Sequence, residues 1–160
     1  MRALYQPRRA ALRTGMSVFQ FQSVNFPDHF IRHRDFLGEL TREVVGESAD
    51  FSFQLVNRGH DQQGRQLVSL RSVNFPDRYL RHRDFRIRLE GSAGPADRLF
   101  RADSTFIYEK GLSGGKGVSF RSTNFPDRYL RHRDFHLWLE PRDSPNLALD
   151  ATFNETVRID

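Results

Sequence analysis

Apolar and polar residues alternate in short runs along most of the chain, as they do in strands with one buried face. In the last third of the chain the alternation covers residues 118–120, 129–131 and 136–139, with a further apolar segment at 152–153. Each run is bounded by Gly, Pro, Asn or Asp, which favour turns. No apolar stripe with a period of 3.6 residues continues for three helical turns. The pattern predicts an all-β protein, with four short strands in this third and negligible helix.

The pattern recurs three times because the sequence itself is repeated. Residues 71–90 and 121–140 are identical at 16 of 20 positions, and residues 22–36 contain a looser copy. The three copies read "QSVNFPDHFIRHRDF", "RSVNFPDRYLRHRDF" and "RSTNFPDRYLRHRDF". Each is followed by a shorter phrase, "DFSF", "DSTF" or "DATF", which begins at Asp50, Asp103 or Asp150. The repeats predict three units, at about residues 16–62, 63–112 and 113–160.

Three units of four strands predict twelve strands in a single domain. Propellers need at least four blades, and an open solenoid needs distinct capping repeats. A closed barrel with threefold pseudosymmetry, the β-trefoil, accounts for the strand count and removes exposed sheet edges. The chain contains 15 Phe among its 160 residues, so we expect an aromatic core.

Composition excludes several kinds of site. Because the chain has no cysteine, it can form no disulfide, thiol nucleophile or cysteine zinc site. The three repeated His residues are separated by 49 and 50 positions, which is not a metal-ligand spacing, and we expect neither a metal nor a cofactor. No apolar run approaches the length of a membrane span. Residues 1–15 are basic and lack an apolar core, which predicts a tail or precursor remnant and not a signal peptide.

Charge leaves two alternatives open. The net charge is +5, but the Arg residues recur with the repeat and do not form one run, so we expect no nucleic-acid partner. A cationic module that binds acidic polymers stays an alternative. A glycosidase-type hydrolase is a second alternative, because such enzymes use paired carboxylates. Each carboxylate of the phrase recurs in every unit, however, and this favours a repeated binding site over a unique active site.

The repeated phrase resembles the arabinofuranose-binding (AbfB) domain, carbohydrate-binding module family 42. The resemblance rests on the phrases N-F-P-x-x-[YF]-[LI]-R-H and D-x-[ST]-F, present in triplicate, and covers about residues 16–160. Domains of this family are appended to α-L-arabinofuranosidases and other hemicellulases. The resemblance implies a β-trefoil, in agreement with the strand count. It also implies an extracellular module that binds plant cell-wall polysaccharide with arabinofuranosyl branches, either as a stand-alone domain or attached to a glycoside hydrolase domain. We expect the module to be non-catalytic and monomeric.

The resemblance further implies one sugar pocket in each unit, formed by the His of the R-H step and the Asp of the D-x-[ST]-F phrase. Carried over to this chain, the pairs are His33 with Asp50, His82 with Asp103, and His132 with Asp150. Tyr79 and Tyr129 would support the sugar in the second and third units, and Phe30 in the first. Phe51 follows Asp50 where the other units have a small residue, so we expect the first pocket to be crowded and weak.

The same residues also have structural interpretations. A structural hydrogen bond would account for each His, and each Asp would fit a turn cap through the Ser or Thr two residues later. The Asn-Phe-Pro-Asp step is typical of a tight turn. We expect the large apolar residues of the phrase in the core, namely Phe26, Phe75, Phe125, Leu80 and Leu130. The Arg residues that flank each His are expected on a solvated face.

Overall fold

The computed structural model describes residues 18–158 and contains twelve strands in three units of four, as predicted. The first unit contains β1 (Val18–Ser23), β2 (His29–Arg34), β3 (Leu37–Arg42) and β4 (Phe53–His60). The second contains β5 (Gln66–Ser72), β6 (Arg78–Arg83), β7 (Arg86–Gly91) and β8 (Phe106–Lys110). The third contains β9 (Val118–Ser122), β10 (Arg128–Arg133), β11 (His136–Pro141) and β12 (Phe153–Arg158). The tail predicted for residues 1–15 lies outside the described residues.

Six of the strands close a barrel. The first and fourth strands of the units pair in the cyclic order β1, β4, β5, β8, β9 and β12, always antiparallel. The ring closes where β12 pairs with β1 along its whole length, with Val18 opposite Arg158 and Ser23 opposite Phe153. Closure gives both edges of every barrel strand a partner.

The other six strands form three hairpins that contact one another in a triangle. In each contact the backbone N–H of a Leu donates to the carbonyl oxygen of a turn Phe in another unit. The bonds run from Leu40 to Phe135 (2.9 Å), from Leu89 to Phe36 (2.9 Å) and from Leu139 to Phe85 (2.8 Å). A six-stranded barrel with a triangular hairpin layer is a β-trefoil, and the predicted fold is therefore confirmed.

The barrel interior is aromatic, as the composition predicts. Its fully buried rings belong to Phe19, Phe21, Phe53, Phe106, Phe120 and Phe153. Leu80 and Leu130 are also completely buried. Phe26, Phe75 and Phe125 are not in the core, because they remain 39%, 36% and 40% exposed, and their predicted burial was wrong. In the Phe75 turn, for example, the backbone N–H donates to the Ser72 hydroxyl (3.0 Å), and the ring lies against a neighbouring hairpin at the surface.

Short helices precede the fourth strand of each unit and correct the expectation of negligible helix. They are a 3₁₀ helix (Ser48–Phe51), α1 (Arg98–Asp103) and α2 (Leu147–Asp150). Segments of four to six residues are too short to show a helical apolar period. The Ser or Thr of the D-x-[ST]-F phrase does not donate to the Asp, so the predicted turn cap does not form. In the second unit the Thr105 hydroxyl donates instead to the Arg101 carbonyl (2.6 Å). Equivalent bonds occur at Ser52 and Thr152, so this residue ends the helix and leaves the Asp in its last turn.

Candidate functional site

In every unit the predicted His and Asp lie together, joined by an Asn from another unit. In the second unit, His82 Nε2 lies 3.0 Å from Asn124 Oδ1 and 3.4 Å from Asp103 Oδ1. The Asn124 amide in turn donates to Asp103 Oδ1 (2.8 Å). The equivalent clusters are His33, Asn74 and Asp50, and His132, Asn25 and Asp150. Each cluster therefore lies at a junction between units, and the third joins the first unit to the third.

The three clusters have nearly the same geometry. The His-to-Asn distance is 2.9 Å for both His33 and His132, and each of these rings lies 3.6 Å from its Asp. All three His residues hold the same place, fifth in the second strand of a unit, opposite Gly38, Ile87 or Leu137. The repeat thus builds one kind of cluster three times, as the sequence implies.

The hydrogen bonds define the tautomer of the His. The Asn124 amide nitrogen faces the Asp103 carboxylate, so its oxygen faces His82 and also accepts from Ser122 (3.0 Å). An amide oxygen only accepts, and His82 therefore carries its proton on Nε2. Burial lowers the pKa of His82 and of His132 below the ordinary value of 6.5, which favours neutral rings at neutral pH.

The Arg before each His is buried beside the cluster. Arg81 Nη2 donates to Asp103 Oδ2, Arg81 Nη1 contacts Glu90 Oε1 (3.2 Å), and Arg81 Nε donates to the His82 carbonyl (3.0 Å). Arg32 and Arg131 repeat this arrangement with Asp50 and Asp150. The expected solvated face was therefore wrong for Arg32, Arg81 and Arg131, because the short helix covers that side and supplies a carboxylate. The prediction is confirmed for the exposed second Arg of each pair, at 34, 83 and 133.

An aromatic pair stands next to each cluster. The Phe125 ring lies edge-on to His82, with centroids 5.5 Å apart, and edge-on to the turn residue Phe85 at 5.2 Å. The corresponding pairs are Phe75 with Phe36 and Phe26 with Phe135. Because these rings are half-exposed, each junction presents an apolar wall beside hydrogen-bonding groups.

The third junction lines an open cavity of 790 Å³. His132, Asp150, Asn25 and Phe26 all line it, so the first and third units contribute together. Tyr129 does not line this cavity; its ring is buried against α2, in a cluster with Leu147 and Ala151.

The other predicted ring positions also contact framework residues. The Tyr79 ring packs edge-on against Phe100 of α1, with centroids 6.1 Å apart, and Phe30 occupies the same strand position in the first unit. A sugar contact by Tyr79, Tyr129 or Phe30 stays a prediction.

Phe51 does not crowd the first site. Its ring is completely buried, and the Arg32 guanidinium lies over it at 4.7 Å. In the second unit Phe100, three residues before Asp103, lies beneath Arg81 in the same way (5.3 Å). The first unit has Glu47 at that earlier position, where it binds Arg32 (2.9 Å), so Phe51 supplies the ring instead. Crowding by Phe51 is therefore not a reason for a weak first pocket. The other reason, that Phe30 lacks the hydroxyl of Tyr79 and Tyr129, stays a prediction.

Three members of each site were not predicted from the sequence as functional residues. They are the junction Asn (Asn25, Asn74, Asn124), the buried Arg (Arg32, Arg81, Arg131) and the half-exposed Phe that follows the Asn (Phe26, Phe75, Phe125). All of them recur in every copy of the phrase, as the His does, and this recurrence was the available signal. Within residues 18–158, no group of three or more His, Asp or Glu residues is arranged to hold a metal ion. No helix in this part of the chain is long and apolar enough to cross a membrane.

The chain belongs to a family of carbohydrate-associated domains. The family model described as the alpha-L-arabinofuranosidase B (ABFB) domain matches residues 19–155. This match confirms the predicted AbfB membership, and the domain is the one that carbohydrate-binding module family 42 defines in arabinofuranosidases. No curated protein matches the chain.

Solved structures share the fold. Two similar ones are an arabinofuranosidase complexed with arabinofuranosyl-alpha-1,2-xylobiose and a GH54 α-L-arabinofuranosidase soaked with a cyclic sulfate inhibitor. Each has a TM-score of 0.72 and 24% identity, and each match covers 86% of this chain and 30% of the other. A third, a BEL β-trefoil, has a TM-score of 0.65 and 16% identity over 89% of this chain and 94% of its own. This chain therefore spans less than a third of the length of the arabinofuranosidases.

Proposed function

We propose that the protein is a non-catalytic module that binds terminal arabinofuranosyl branches of arabinoxylan and arabinan at its three junction sites. The observation that carries the proposal is the His–Asn–Asp cluster, repeated at all three junctions beside a half-exposed Phe. As in its family, the module would act outside the cell, attached to a glycoside hydrolase domain of a longer protein. The domain bounds of about 16–160, and a monomeric state, belong to the same proposal.

The chemistry of the cluster suits a neutral sugar. A carboxylate offers about four lone-pair positions, and in the second site two of them accept from Arg81 and Asn124. Where the carboxylate reaches the surface, as Asp50 does with 27% of its side chain exposed, the remaining positions would accept from sugar hydroxyls. Charge-assisted hydrogen bonds of this kind are about twice as strong as neutral ones. The Phe125 ring then provides apolar contact for the C–H groups of the furanose.

The same geometry favours binding over hydrolysis. In each site one buried Arg binds both nearby carboxylates, such as Asp103 and Glu90 on Arg81. Glycoside hydrolysis requires one carboxyl group to deliver a proton to the leaving oxygen while a second activates water or attacks the sugar. A repeated site whose carboxylates share a guanidinium is better suited to holding hydroxyl groups.

The test is a calorimetric titration of the full chain with arabinoxylan, arabinan and linear xylan. We expect binding to the two branched polymers and none to linear xylan, with affinity nearly independent of salt. Loss of binding on addition of salt would instead support the cationic-module alternative. Turnover of a chromogenic arabinofuranoside would support the hydrolase. Equal binding to linear xylan and arabinoxylan would contradict recognition of the branch.

A further inference from the structure

The third site differs from the other two at its apolar wall. Leu149 lines its cavity immediately before Asp150 and is 47% exposed. The residues immediately before the other two site Asp residues are Ala49 and Ala102. Only the third site therefore has a large apolar side chain at this position.

A second substitution changes the residue that covers Phe135, the turn Phe of the same site. In the first and second sites a guanidinium covers this ring, with Arg78 4.2 Å from the Phe36 centroid and Arg128 3.6 Å from Phe85. At the third site the corresponding residue is His29, whose ring stacks on Phe135 with centroids 4.9 Å apart and planes 24° apart. A compact imidazole replaces a long cation there, so two independent substitutions distinguish this wall.

The cavity is also large enough in volume to hold more than one furanose ring. Its volume of 790 Å³ falls within the range of roughly 300–1,000 Å³ found for small-molecule pockets. Besides the cluster, its lining contains Leu149, Pro141 and Pro145, together with polar Ser144 and Asn146 and charged Arg133 and Glu140. A pyranose matches such a lining, because its ring has an apolar C–H face and a rim of hydroxyls.

The proposal rests on the proposed function. We propose that the third site recognises the branch point: it binds the terminal arabinofuranose and also the main-chain pyranose that carries it. The furanose lies at His132, Asn25 and Asp150, and the pyranose packs against Leu149. The first and second sites, with Ala49 and Ala102 at this position, bind the furanose alone.

The test isolates the third site with the double variant Phe75→Ala, Phe125→Ala, which removes the aromatic wall of the other two. Methyl α-L-arabinofuranoside and an arabinofuranosyl-xylobiose are titrated into this background calorimetrically. We expect the oligosaccharide to bind about fivefold more tightly, and Leu149→Ala to remove this gain without changing the affinity for the methyl glycoside. Leu99→Ala, at an exposed Leu of α1, is the matched control and should leave both affinities unchanged.

The outcomes separate the two proposals. Equal affinities for the two sugars, or a gain that survives Leu149→Ala, would overturn the branch-point inference and leave arabinofuranose binding intact. Failure of the unmodified chain to bind methyl arabinofuranoside would overturn the proposed function itself, and the inference with it. In the reverse direction, Ala102→Leu should bring an oligosaccharide preference to the second site, measured with Phe26→Ala and Phe75→Ala in the background.

Discussion

Each site Asp divides its carboxylate between a buried guanidinium and the amide of another unit. In the second site, Asp103 is 5% exposed and its ion-pair partner Arg81 is 7% exposed. When two charges are removed from water together, loss of either one leaves the other buried without a partner, and this lowers the stability of the fold. The Asp is therefore part of the fold as well as a candidate sugar ligand.

The first prediction follows from this pairing. Asp103→Ala should lower the free energy of unfolding by about 3 kcal/mol, because Arg81 stays buried with Glu90 as its remaining carboxylate. Asp143→Ala, which removes an exposed carboxylate of the third unit, should change stability by less than about 0.5 kcal/mol. Urea denaturation measures both. If Asp103→Ala were as stable as the parent, the ion pair would contribute nothing to the fold.

The turn of each hairpin has an unusual composition. Asp84 and Phe85 both have positive φ, at 52° and 61°, and the same is true of the other two turns. Two-residue turns of this type usually contain Asn-Gly, because a left-handed conformation costs a residue with a side chain about 1–2 kcal/mol. The strained Phe nevertheless occurs in all three units, where its ring forms half of the aromatic pair at each site.

Because of this strain, replacing the turn Phe with Gly should abolish binding at its site but change the free energy of unfolding little. Phe85→Gly should keep the free energy of unfolding within about 1 kcal/mol of the parent, because relief of the left-handed strain offsets the lost ring contact. Binding of methyl arabinofuranoside at the second site should be lost, which calorimetric stoichiometry would show. Asp84→Gly also relaxes the turn but keeps the ring, so it should leave binding unchanged. Undiminished binding by Phe85→Gly would remove the turn Phe from the site.

Elements differ in how well the sequence predicts them. The strands were predictable because each has at least five residues and the repeat shows the same alternation three times. The short helices were not, since α2 has only four residues. The His and Asp positions followed from the family resemblance, whereas the junction Asn required the closed barrel. Asn25 contacts Asp150 across 125 positions of sequence, a pairing that no local pattern indicates.

The buried His residues make the stability of the protein depend on pH. Burial lowers the pKa of His82 and His132 in the folded state, whereas both return to about 6.5 on unfolding. Below that pH the unfolded chain takes up these protons first. The free energy of unfolding should therefore be highest above about pH 6.5 and fall as the pH drops through the folded-state values. Asp103, Arg81 and Arg128 act on His82, but burial is the largest influence.

Urea denaturation at about pH 7.5 and pH 5 would test this dependence. The double variant His82→Gln, His132→Gln should be less stable than the parent but should lose less stability between the two pH values. His60→Gln, at an exposed position, is the matched control and should retain the parental pH dependence. A parent whose stability rises between pH 7.5 and pH 5 would contradict the predicted sign.

The threefold arrangement also predicts how the molecule binds a branched polymer. Because the sites lie at three separate junctions, a polysaccharide with many branches can occupy more than one of them, and the effective concentration of the second branch raises the overall affinity.

Single substitutions can weaken the sites one at a time. Each of Phe26→Ala, Phe75→Ala and Phe125→Ala truncates a half-exposed ring, so each should weaken one site with little effect on the fold. With methyl arabinofuranoside, any two of these substitutions should leave one site of unchanged affinity. With arabinoxylan, the same double variants should lose about 10- to 100-fold in affinity. A loss in simple proportion to the number of intact sites would show that the three junctions bind independently.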